Sequence, residues 1–585
     1  MKRPFIMLKK AFLGALFLFS IGSTYAQNKV QYPSGYFLNP IGLPIFLAGN
    51  FGECRPGHFH SGIDIKTLGE ENHEVHAAAE GYIARIKMEK GGFGHALYIM
   101  HPNGYTTLYA HLNNFSPALQ KYLREKQYEQ KRWDLDLSLS PTQFPVAKGD
   151  LIAFSGNTGA STAPHLHFEV RNTKTEHPLN PMLFHFEMKD TIPAKPMELA
   201  VYTGSVYNNG KALPDFVPLK LAGDAYKPAS VKGDVVQLTS DTLVITSENP
   251  VGFGVNVDDY MNGSDNTLAP LTMSLMIDGK TQSGIFLDDI GYDVTRYINA
   301  FADYKAHRLT GKWYQLLFQL PGNKLDGIYN NLNQNKGRIE MFDNRTHKME
   351  ISIIDNSGNK SQIATYIKLL KSPSPPSVSA DKVFNIGRAH YFEDAGIKFT
   401  LDEKALYEDL AFNYECFKGK HEYSHEYRLH YPFVPLHSYS ELQIKAEKAI
   451  PEDLKNKVIV QCFDGKSTSG SAVTSSGNGW YKTKFREFGN YWLDVDTKGP
   501  KIASKYKQGV RMSKAEKIVF TVTDDKTSVK SFSGFIDDKW VCFEQHGSSF
   551  FYEFDSHCTT GKHKLLFKAI DESGNASQVS LNFVR

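Results

Sequence analysis

Two distant segments of this 585-residue chain repeat one pattern, and the pattern restricts how the C-terminal part can fold. "IDNSGNKSQIATYI" (354–367) matches "IDESGNASQVSLNF" (570–583) at most positions. Both contain a Ser-Gly-Asn turn followed by alternating residues, which predicts a strand, a turn and the closing strand of a β-sandwich domain. From residue 190 onward we therefore expect a row of such domains.

Changes in amino-acid composition along the sequence divide the chain into five segments. "DTIPAKP" (190–196) and "VDTKGPKI" (495–502) have the composition of equivalent domain starts, and "KSPSPPSVSA" (371–380) is typical of a linker. We predict a mainly β protein with a signal peptide at 1–26, a first domain at 27–189 with an insertion at about 113–146, a β-sandwich domain at 190–370 with an insertion at about 285–335, a β-rich sandwich-like domain at 371–494, and an Ig-like domain at 495–585.

The N-terminus has the pattern of a secretory signal. A basic start precedes the apolar run "AFLGALFLFSIG", and the small residues of "STYA" place the expected cleavage after Ala26. The run is too short for a permanent membrane helix, and no later segment is long and apolar enough to form one. Gln27 in place of Cys argues against a lipid anchor. We expect an exported protein of the cell envelope, either periplasmic or extracellular.

Charge and cysteine content exclude some classes of function. The 66 basic and 63 acidic residues give a net charge of +3, which does not indicate nucleic-acid binding. The five cysteines form no CxxC motif and are too few for a disulfide framework. In an oxidising compartment Cys416 could pair with Cys462, or Cys542 with Cys558, and Cys54 would remain unpaired.

Histidines and carboxylates cluster in the first domain. "HFHSGIDIKT" (58–67) contributes His60 and Asp64, which alone cannot complete a metal site. In "PHLHFEV" we predict a strand, so that His165, His167 and Glu169 share one face, because residues two apart in a strand point the same way. The two segments together indicate a metal centre.

A third histidine follows a predicted hairpin. "ALYIMH" and "YTTLYAHL" are separated by Pro-Asn-Gly, and Asn-Gly is a strong hairpin signal. Strand periodicity puts His111 on the same face as Tyr109. The charged stretch 117–133 behind it favours a helix, which we interpret as a solvated surface helix inserted after "YAHL".

Zinc suits this set of side chains. A catalytic zinc site uses three nitrogen or oxygen ligands and keeps a fourth position for water, whose pKa the metal lowers to about 7. Hydrolysis also needs groups that relay a proton and stabilise an oxyanion, and histidine can do both. Two histidines beyond a three-ligand shell therefore indicate an enzyme.

These segments resemble the M23, or LytM-type, zinc metallopeptidases, which cut the peptides of bacterial peptidoglycan. The resemblance rests on "FGECRPGHFHSGIDI", "NGYTTLYAHL", "VAKGDLIAFSGNTGASTAPHLHFEV" and "LNPM", which occur in the family's order. It implies a compact antiparallel β domain with one zinc per chain. It further implies ligand roles for His60, Asp64 and His167 and catalytic, non-ligand roles for His111 and His165, and it identifies no substrate-binding residue.

The sequence departs from the family's pattern in two places. Ala163 stands where the family often has glycine, and the helical insertion follows "YAHL". Both changes fall where they can reshape a substrate groove, and neither removes an expected ligand.

Neighbouring residues have less specific interpretations. We expect His58 and His95 to be structural and Cys54 to be a small packed residue. Arg55 is either a contact for a substrate carboxylate or an ordinary surface or paired arginine.

A second motif has to be weighed as a metal site. "HEYSH" (421–425) matches HExxH, a motif that binds zinc only on a helix. Gly419 and the following "YPFVP" disfavour a helix, so we predict a strand there.

The leading hypothesis is a zinc endopeptidase that hydrolyses amide bonds in peptidoglycan stem peptides or cross-bridges during cell-wall remodelling. Its partners would be peptidoglycan and envelope proteins that bind the sandwich domains. One alternative is an inactive LytM-like scaffold that binds the wall or regulates another hydrolase, although such scaffolds typically lack a ligand. In another alternative the sandwich domains have the main function, as adhesive or glycan-binding modules, and the peptidase domain does not contribute to it.

Overall fold

The computed structural model describes residues 32–208, 210–372 and 380–585. The expected signal peptide and most of the proline-serine linker lie outside these residues. The fold is mainly β, as predicted. For description we call residues 32–189 the first unit, 190–372 the second, 380–495 the third and 496–585 the fourth; the domain boundaries themselves stay a prediction. Within the described residues no helix combines the length and the apolar composition that a membrane span needs.

The first unit consists of short strands and one long helix. Helix α1 spans Pro117–Gln130, and a 3-10 turn covers Pro181–Phe184. The strands β1 to β14 are, in order, Leu47–Gly49, Cys54–Arg55, His58–Phe59, Ile63–Lys66, Glu74–His76, Gly81–Met88, His95–Met100, Tyr105–Ala110, Asn114–Phe115, Leu135–Ser138, Pro145–Val146, Leu151–Phe154, His165–Asn172 and Pro178–Leu179.

The main sheet of the first unit brings distant motifs together. Its order is β1-β4-β13-β8-β7-β6-β10, and β7 and β8 form the hairpin that the Asn-Gly signal predicts. Central strand β13 pairs with β4 on one side, where His167 is opposite Asp64, and with β8 on the other, where His167 is opposite Ala110. This register places the segment of Asp64 directly beside the "HLH" motif.

The second unit combines a large sheet with helical insertions. A 3-10 turn at Thr295–Tyr297 precedes α2 (Ile298–Phe301) and α3 (Tyr304–Thr310), all inside the predicted insertion. Strands β15 to β26 are Lys195–Tyr202, Asp215–Ala222, Ala225–Pro228, Val236–Thr239, Thr242–Ser247, Gly252–Asp258, Thr272–Ile277, Lys280–Phe286, Gln315–Leu316, Tyr329–Asn330, His347–Ile354 and Lys360–Lys371.

The third unit contains two five-stranded sheets and a short strand pair. A 3-10 segment covers Glu452–Lys457. Strands β27 to β38 are Lys382–Phe384, His390–Asp394, Ile397–Leu401, Leu410–Phe412, Tyr414–Phe417, Glu426–Leu429, Pro435–Lys445, Val458–Phe463, Thr468–Ala472, Thr474–Gly477, Trp480–Glu487 and Gly489–Val495. Its buried side chains join those of the second unit in one continuous core.

The fourth unit has its own core between a four-stranded and a five-stranded sheet. Strands β39 to β47 are Lys501–Ala503, Val510–Arg511, Lys517–Thr523, Val529–Ile536, Lys539–Val541, Glu544–His546, Ser549–Glu553, Lys562–Asp571 and Ala576–Val584.

The repeated sequence pattern has one structural explanation. Asp355 lies between β25 and β26, and Asp571 ends β46 before β47. Each carboxylate accepts a hydrogen bond from the backbone N–H four residues later, at 2.9 Å from Asn359 and 2.8 Å from Asn575. The buried Asp therefore closes the Ser-Gly-Asn turn in both copies, and the predicted strand-turn-strand is confirmed.

The structure records all five cysteines as free thiols, and the pairing of Cys416 with Cys462 is wrong. The two residues occupy the same level of one sheet, with Tyr427 of β32 and Tyr491 of β38 between them. Three strand spacings separate their Cα atoms by roughly 14 Å, which is too far for a disulfide bond. Cys542 and Cys558 are both buried and are also unpaired.

Helix α1 is not the solvated surface helix that its charged sequence predicts. Leu119, Leu123 and Gln127 form a buried face on the first unit. On another face, Arg124 pairs with Glu544 of the fourth unit at 3.2 Å, and the Tyr128 hydroxyl lies 2.6 Å from a carboxylate oxygen of that unit. The charged residues of α1 therefore serve in part as an interface to the fourth unit.

We expect Arg124→Ala to loosen this interface, because Glu544 would remain buried without its arginine. Removing one member of a buried ion pair typically costs about 2 kcal/mol or more. Hydrogen exchange of α1 and β44 in the full chain measures the loss as faster exchange of both. Lys126→Ala is the matched control, since Lys126 pairs with exposed Glu129 on the same helix. Equal exchange in both variants would contradict the prediction.

Candidate metal centre

Three side chains of the first unit converge at one buried point. His60 Nε2 lies 3.0 Å from Asp64 Oδ1 and 3.0 Å from His167 Nδ1, and His167 Nδ1 lies 2.8 Å from the same Asp64 oxygen. All three residues are buried. They come from the loop before β4, from β4 itself and from β13, and together they are a group that could hold a metal ion.

Hydrogen bonds on the far side of each imidazole fix which nitrogen can bind a cation. His60 Nδ1 lies 2.8 Å from the backbone oxygen of Asn50, which can only accept, so Nδ1 carries the proton. His167 Nε2 donates in the same way to Glu169 Oε1 at 2.9 Å. His60 Nε2 and His167 Nδ1 are therefore the ring nitrogens left to bind a metal ion at the shared centre. Two imidazoles and one carboxylate are a donor set that fits zinc.

The two oxygens of the Asp64 carboxylate face different partners, namely the candidate metal centre and an arginine. Its Oδ1 faces both histidines, while Oδ2 accepts a hydrogen bond from Arg55 at 2.7 Å. Burial alone would raise the pKa of Asp64, but the charge of His60 and hydrogen bonds from the surrounding histidines hold this pKa well below its usual value. Arg55 is thus a paired arginine, also 3.3 Å from Glu53, and it orients the carboxylate.

His111 lies beside the three converging groups, and His165 comes closer to them, with its Nε2 3.4 Å from Asp64 Oδ1. His111 Nδ1 donates to the Thr158 carbonyl at 2.8 Å, and His165 Nδ1 donates to the Ala163 carbonyl at 2.8 Å. The Nε2 atom of the His111 ring is therefore the unprotonated one, and the centroids of the His111 and His165 rings are 4.7 Å apart. Burial lowers the pKa of His111 to about 3, so this ring is neutral in the metal-free chain.

His111 does not share a face with Tyr109, as strand periodicity predicts. Strand β8 ends at Ala110, and His111 takes a left-handed backbone conformation with φ of 57°. The Tyr109 ring packs in the core against Phe168, whereas the His111 ring lies 5.8 Å from that of His167 on the opposite face. The break in the strand is what brings His111 to the site.

Glu169 is a buried carboxylate that contacts His167, and no motif in the sequence assigns it a role. It is completely buried, and its Oε1 accepts hydrogen bonds from His167 and from Ser61 Oγ at 2.6 Å. Its Oε2 accepts from Arg171 Nε at 2.6 Å. Burial would raise the pKa of Glu169, but Arg171 and these donors lower it, so the residue is a carboxylate. The shared strand face of Glu169 and His167 was the sequence signal for this contact.

The remaining residues of interest lie outside the centre. His58 is exposed, and His95 is buried with its ring bonded to the Asn113 carbonyl at 3.1 Å. Cys54 packs against the core of the second unit. The "HEYSH" segment forms a series of bends, and neither the predicted strand nor a helix. The strand begins only at Glu426. His421 instead binds Glu426 at 2.8 Å.

Comparison with known families gives two matches, and one of them covers the candidate metal centre. Residues 58–128 and 136–181 match the family described as Peptidase family M23, and residues 381–496 match a Zu5-like domain. The DD-carboxypeptidase/endopeptidase Mpg of Neisseria meningitidis serogroup B is 34% identical over 155 residues, 26% of each chain. An uncharacterized metalloprotease of Haemophilus influenzae is 32% identical over 129 residues, 22% of this chain and 21% of the relative. The chain thus spans about a quarter of the length of the curated relatives it matches.

Two solved structures are each similar to about a quarter of this chain. One is a zinc-containing peptidase from Vibrio cholerae, with 23% identity, coverage of 27% of this chain and 39% of that one, and a TM-score of 0.18. The other is the catalytic domain of lysostaphin from Staphylococcus simulans, with 24% identity, coverage of 26% and 91%, and a TM-score of 0.17. The family match covers all three converging side chains, so the part of the chain that carries them is similar to peptidase family M23.

Proposed function

We propose that this protein is a zinc-dependent endopeptidase that hydrolyses amide bonds in the stem peptides or cross-bridges of peptidoglycan. The observation that carries the proposal is the convergence of His60 Nε2, Asp64 Oδ1 and His167 Nδ1 within 3.0 Å of one another. Two further imidazoles, those of His111 and His165, lie beside them. A scaffold that only binds the wall has no need for either group.

His60, Asp64 and His167 would hold one zinc ion per chain. Bound zinc supplies a Lewis acid and lowers the pKa of a water molecule to about 7. In His111 and His165 a backbone carbonyl occupies Nδ1, so Nε2 is the nitrogen of each ring that can exchange a proton. Protonated, the same rings can stabilise negative charge on the attacked amide oxygen.

The proposed substrate and location have separate support. The Neisseria relative is named as a DD-carboxypeptidase and endopeptidase, and it is 34% identical to this chain over 155 residues. The signal pattern before Ala26 supports export to the cell envelope. Interactions of envelope proteins with the three C-terminal units belong to the same proposal.

The direct test is hydrolysis of isolated muropeptides by the purified mature chain, with fragments identified by mass spectrometry. Cleavage within a stem peptide or a cross-bridge, lost on removal of zinc, is the expected result. Intact muropeptides after prolonged incubation with zinc-loaded protein would count against the proposal.

Arg55→Ala should weaken zinc binding without removing it. Arg55 holds Asp64 Oδ2 at 2.7 Å, and losing such an outer partner of a metal ligand typically reduces affinity by about 10-fold or more. Competition with a chromophoric chelator measures the change. Arg85→Ala is the control, because it removes an exposed arginine–aspartate pair of the same unit. An unchanged affinity in Arg55→Ala would show that Asp64 needs no such support.

A further inference from the structure

The second unit contacts the residues around the candidate metal centre through the segment 287–301. Leu287 packs so closely on Gly52 that a Cβ there would lie 2.8 Å from its Cδ1. Phe59, the residue before His60, donates its backbone N–H to Thr295 Oγ1 at 2.9 Å, and its ring packs 5.2 Å from that of Phe301. The loop that carries His60 is therefore fixed to the second unit.

One side chain of this segment touches the carboxylate behind a candidate ligand. The Tyr292 hydroxyl lies 2.7 Å from Glu169 Oε1 and 3.0 Å from Arg171 Nη2. Because a guanidinium can only donate, the tyrosine oxygen accepts from Arg171 and its O–H donates to Glu169. The direction of this hydrogen bond is thus determined by the arginine.

Tyr292 completes the hydrogen bonding of Glu169. Its O–H is the third donor to Oε1, together with Ser61 and His167, while Arg171 donates to Oε2. A carboxylate held by four donors has one orientation, and that orientation aims His167 Nδ1 at the centre. Of the four donors, Tyr292 alone comes from outside the first unit.

We propose that Tyr292 is a positioning residue by which the second unit sets the affinity of the centre for zinc. The inference rests on the proposed function, since it assumes zinc at His60, Asp64 and His167. Tyr292 acts only through Glu169 and His167, so its effect must disappear when Glu169 can no longer respond. In this chain the metal centre is therefore shared between two units.

The zinc dissociation constant of the full chain, measured by chelator competition, tests this role. Outer-shell partners of metal ligands typically contribute 10–100-fold in affinity, and we expect Tyr292→Phe to weaken binding by about 10-fold. Glu169→Gln should have the larger effect. The double variant should bind zinc as Glu169→Gln does, because coupled residues give non-additive effects.

Tyr32→Phe is the matched control. The Tyr32 hydroxyl also makes a tyrosine–carboxylate hydrogen bond between the first and second units, to Asp288 at 3.3 Å, but Asp288 touches none of the three candidate ligands. We expect wild-type zinc affinity in this variant. Tyr292 is 43% exposed, so its replacement by phenylalanine should leave the fold intact, and thermal unfolding verifies that it does.

Three results would overturn the inference. They are wild-type affinity in Tyr292→Phe, additive losses in the double variant, and an equal loss in Tyr32→Phe, which would indicate general docking of the two units. If one of these results occurs but His167→Ala still loses zinc in the same experiment, the inference about Tyr292 fails and the proposed function is unaffected. If the wild-type chain binds no zinc, the proposed function fails and takes the inference with it.

Discussion

Replacing His60, Asp64 or His167 by alanine is expected to abolish both zinc binding and hydrolysis. The wild-type chain should contain one zinc, held by the three atoms that lie within 3.0 Å of one another. A catalytic zinc site has only three protein ligands, so the loss of one leaves two and an unpaired polar group in a buried cavity. Elemental analysis and muropeptide cleavage on the same preparations measure the two losses together.

The control for these variants is a histidine motif elsewhere in the chain. Replacing His421 and His425 by alanine should leave zinc content and cleavage unchanged, because His421 binds Glu426 and the segment is not helical. Zinc that disappeared with this substitution, but stayed in His60→Ala, would show that the ligands have been assigned to the wrong unit.

Much of the candidate site could be predicted because it follows local rules. In β13 the two-residue period alone puts His165, His167 and Glu169 on one face, and the structure keeps this arrangement. Asn103-Gly104 correctly predicted the hairpin between β7 and β8. The family resemblance supplied what periodicity cannot, namely that Asp64 should lie next to His167.

His111 shows where the same rule stops. Strand periodicity assigns it to the face of Tyr109, but a single left-handed residue at the strand end reverses the direction of the side chain. Non-glycine residues adopt this conformation only occasionally, and nothing in "YAHL" requires it. A tertiary contact, the hydrogen bond from Nδ1 to the Thr158 carbonyl, holds the ring in place.

Contacts between units were beyond prediction for a different reason. Tyr292 meets Glu169, and Arg124 meets Glu544, across long sequence separations with no shared motif. The charged character of α1 is equally compatible with solvent and with an interface that contains ion pairs. Only the packing of the units decides between these environments.

His111→Ala and His165→Ala are expected to keep zinc yet lose most of the hydrolysis. Neither ring belongs to the group of three that could hold a metal ion, and each turns its Nε2 away from the carbonyl that binds its Nδ1. A positioned acid–base group typically contributes about 10²–10⁴-fold in rate, so we expect kcat to fall within or beyond that range. Zinc content should stay close to that of the wild-type chain.

The two histidines of "HLH" give the sharpest comparison, because they lie on the same strand face only two residues apart. His165→Ala should retain zinc without activity, whereas His167→Ala should lose both. The reverse pattern of zinc content would exchange the two roles, and it would conflict with the hydrogen bond from His167 Nε2 to Glu169, which leaves only Nδ1 for the metal. Wild-type cleavage by His111→Ala, His165→Ala and His167→Ala alike would place the chemistry elsewhere in the chain.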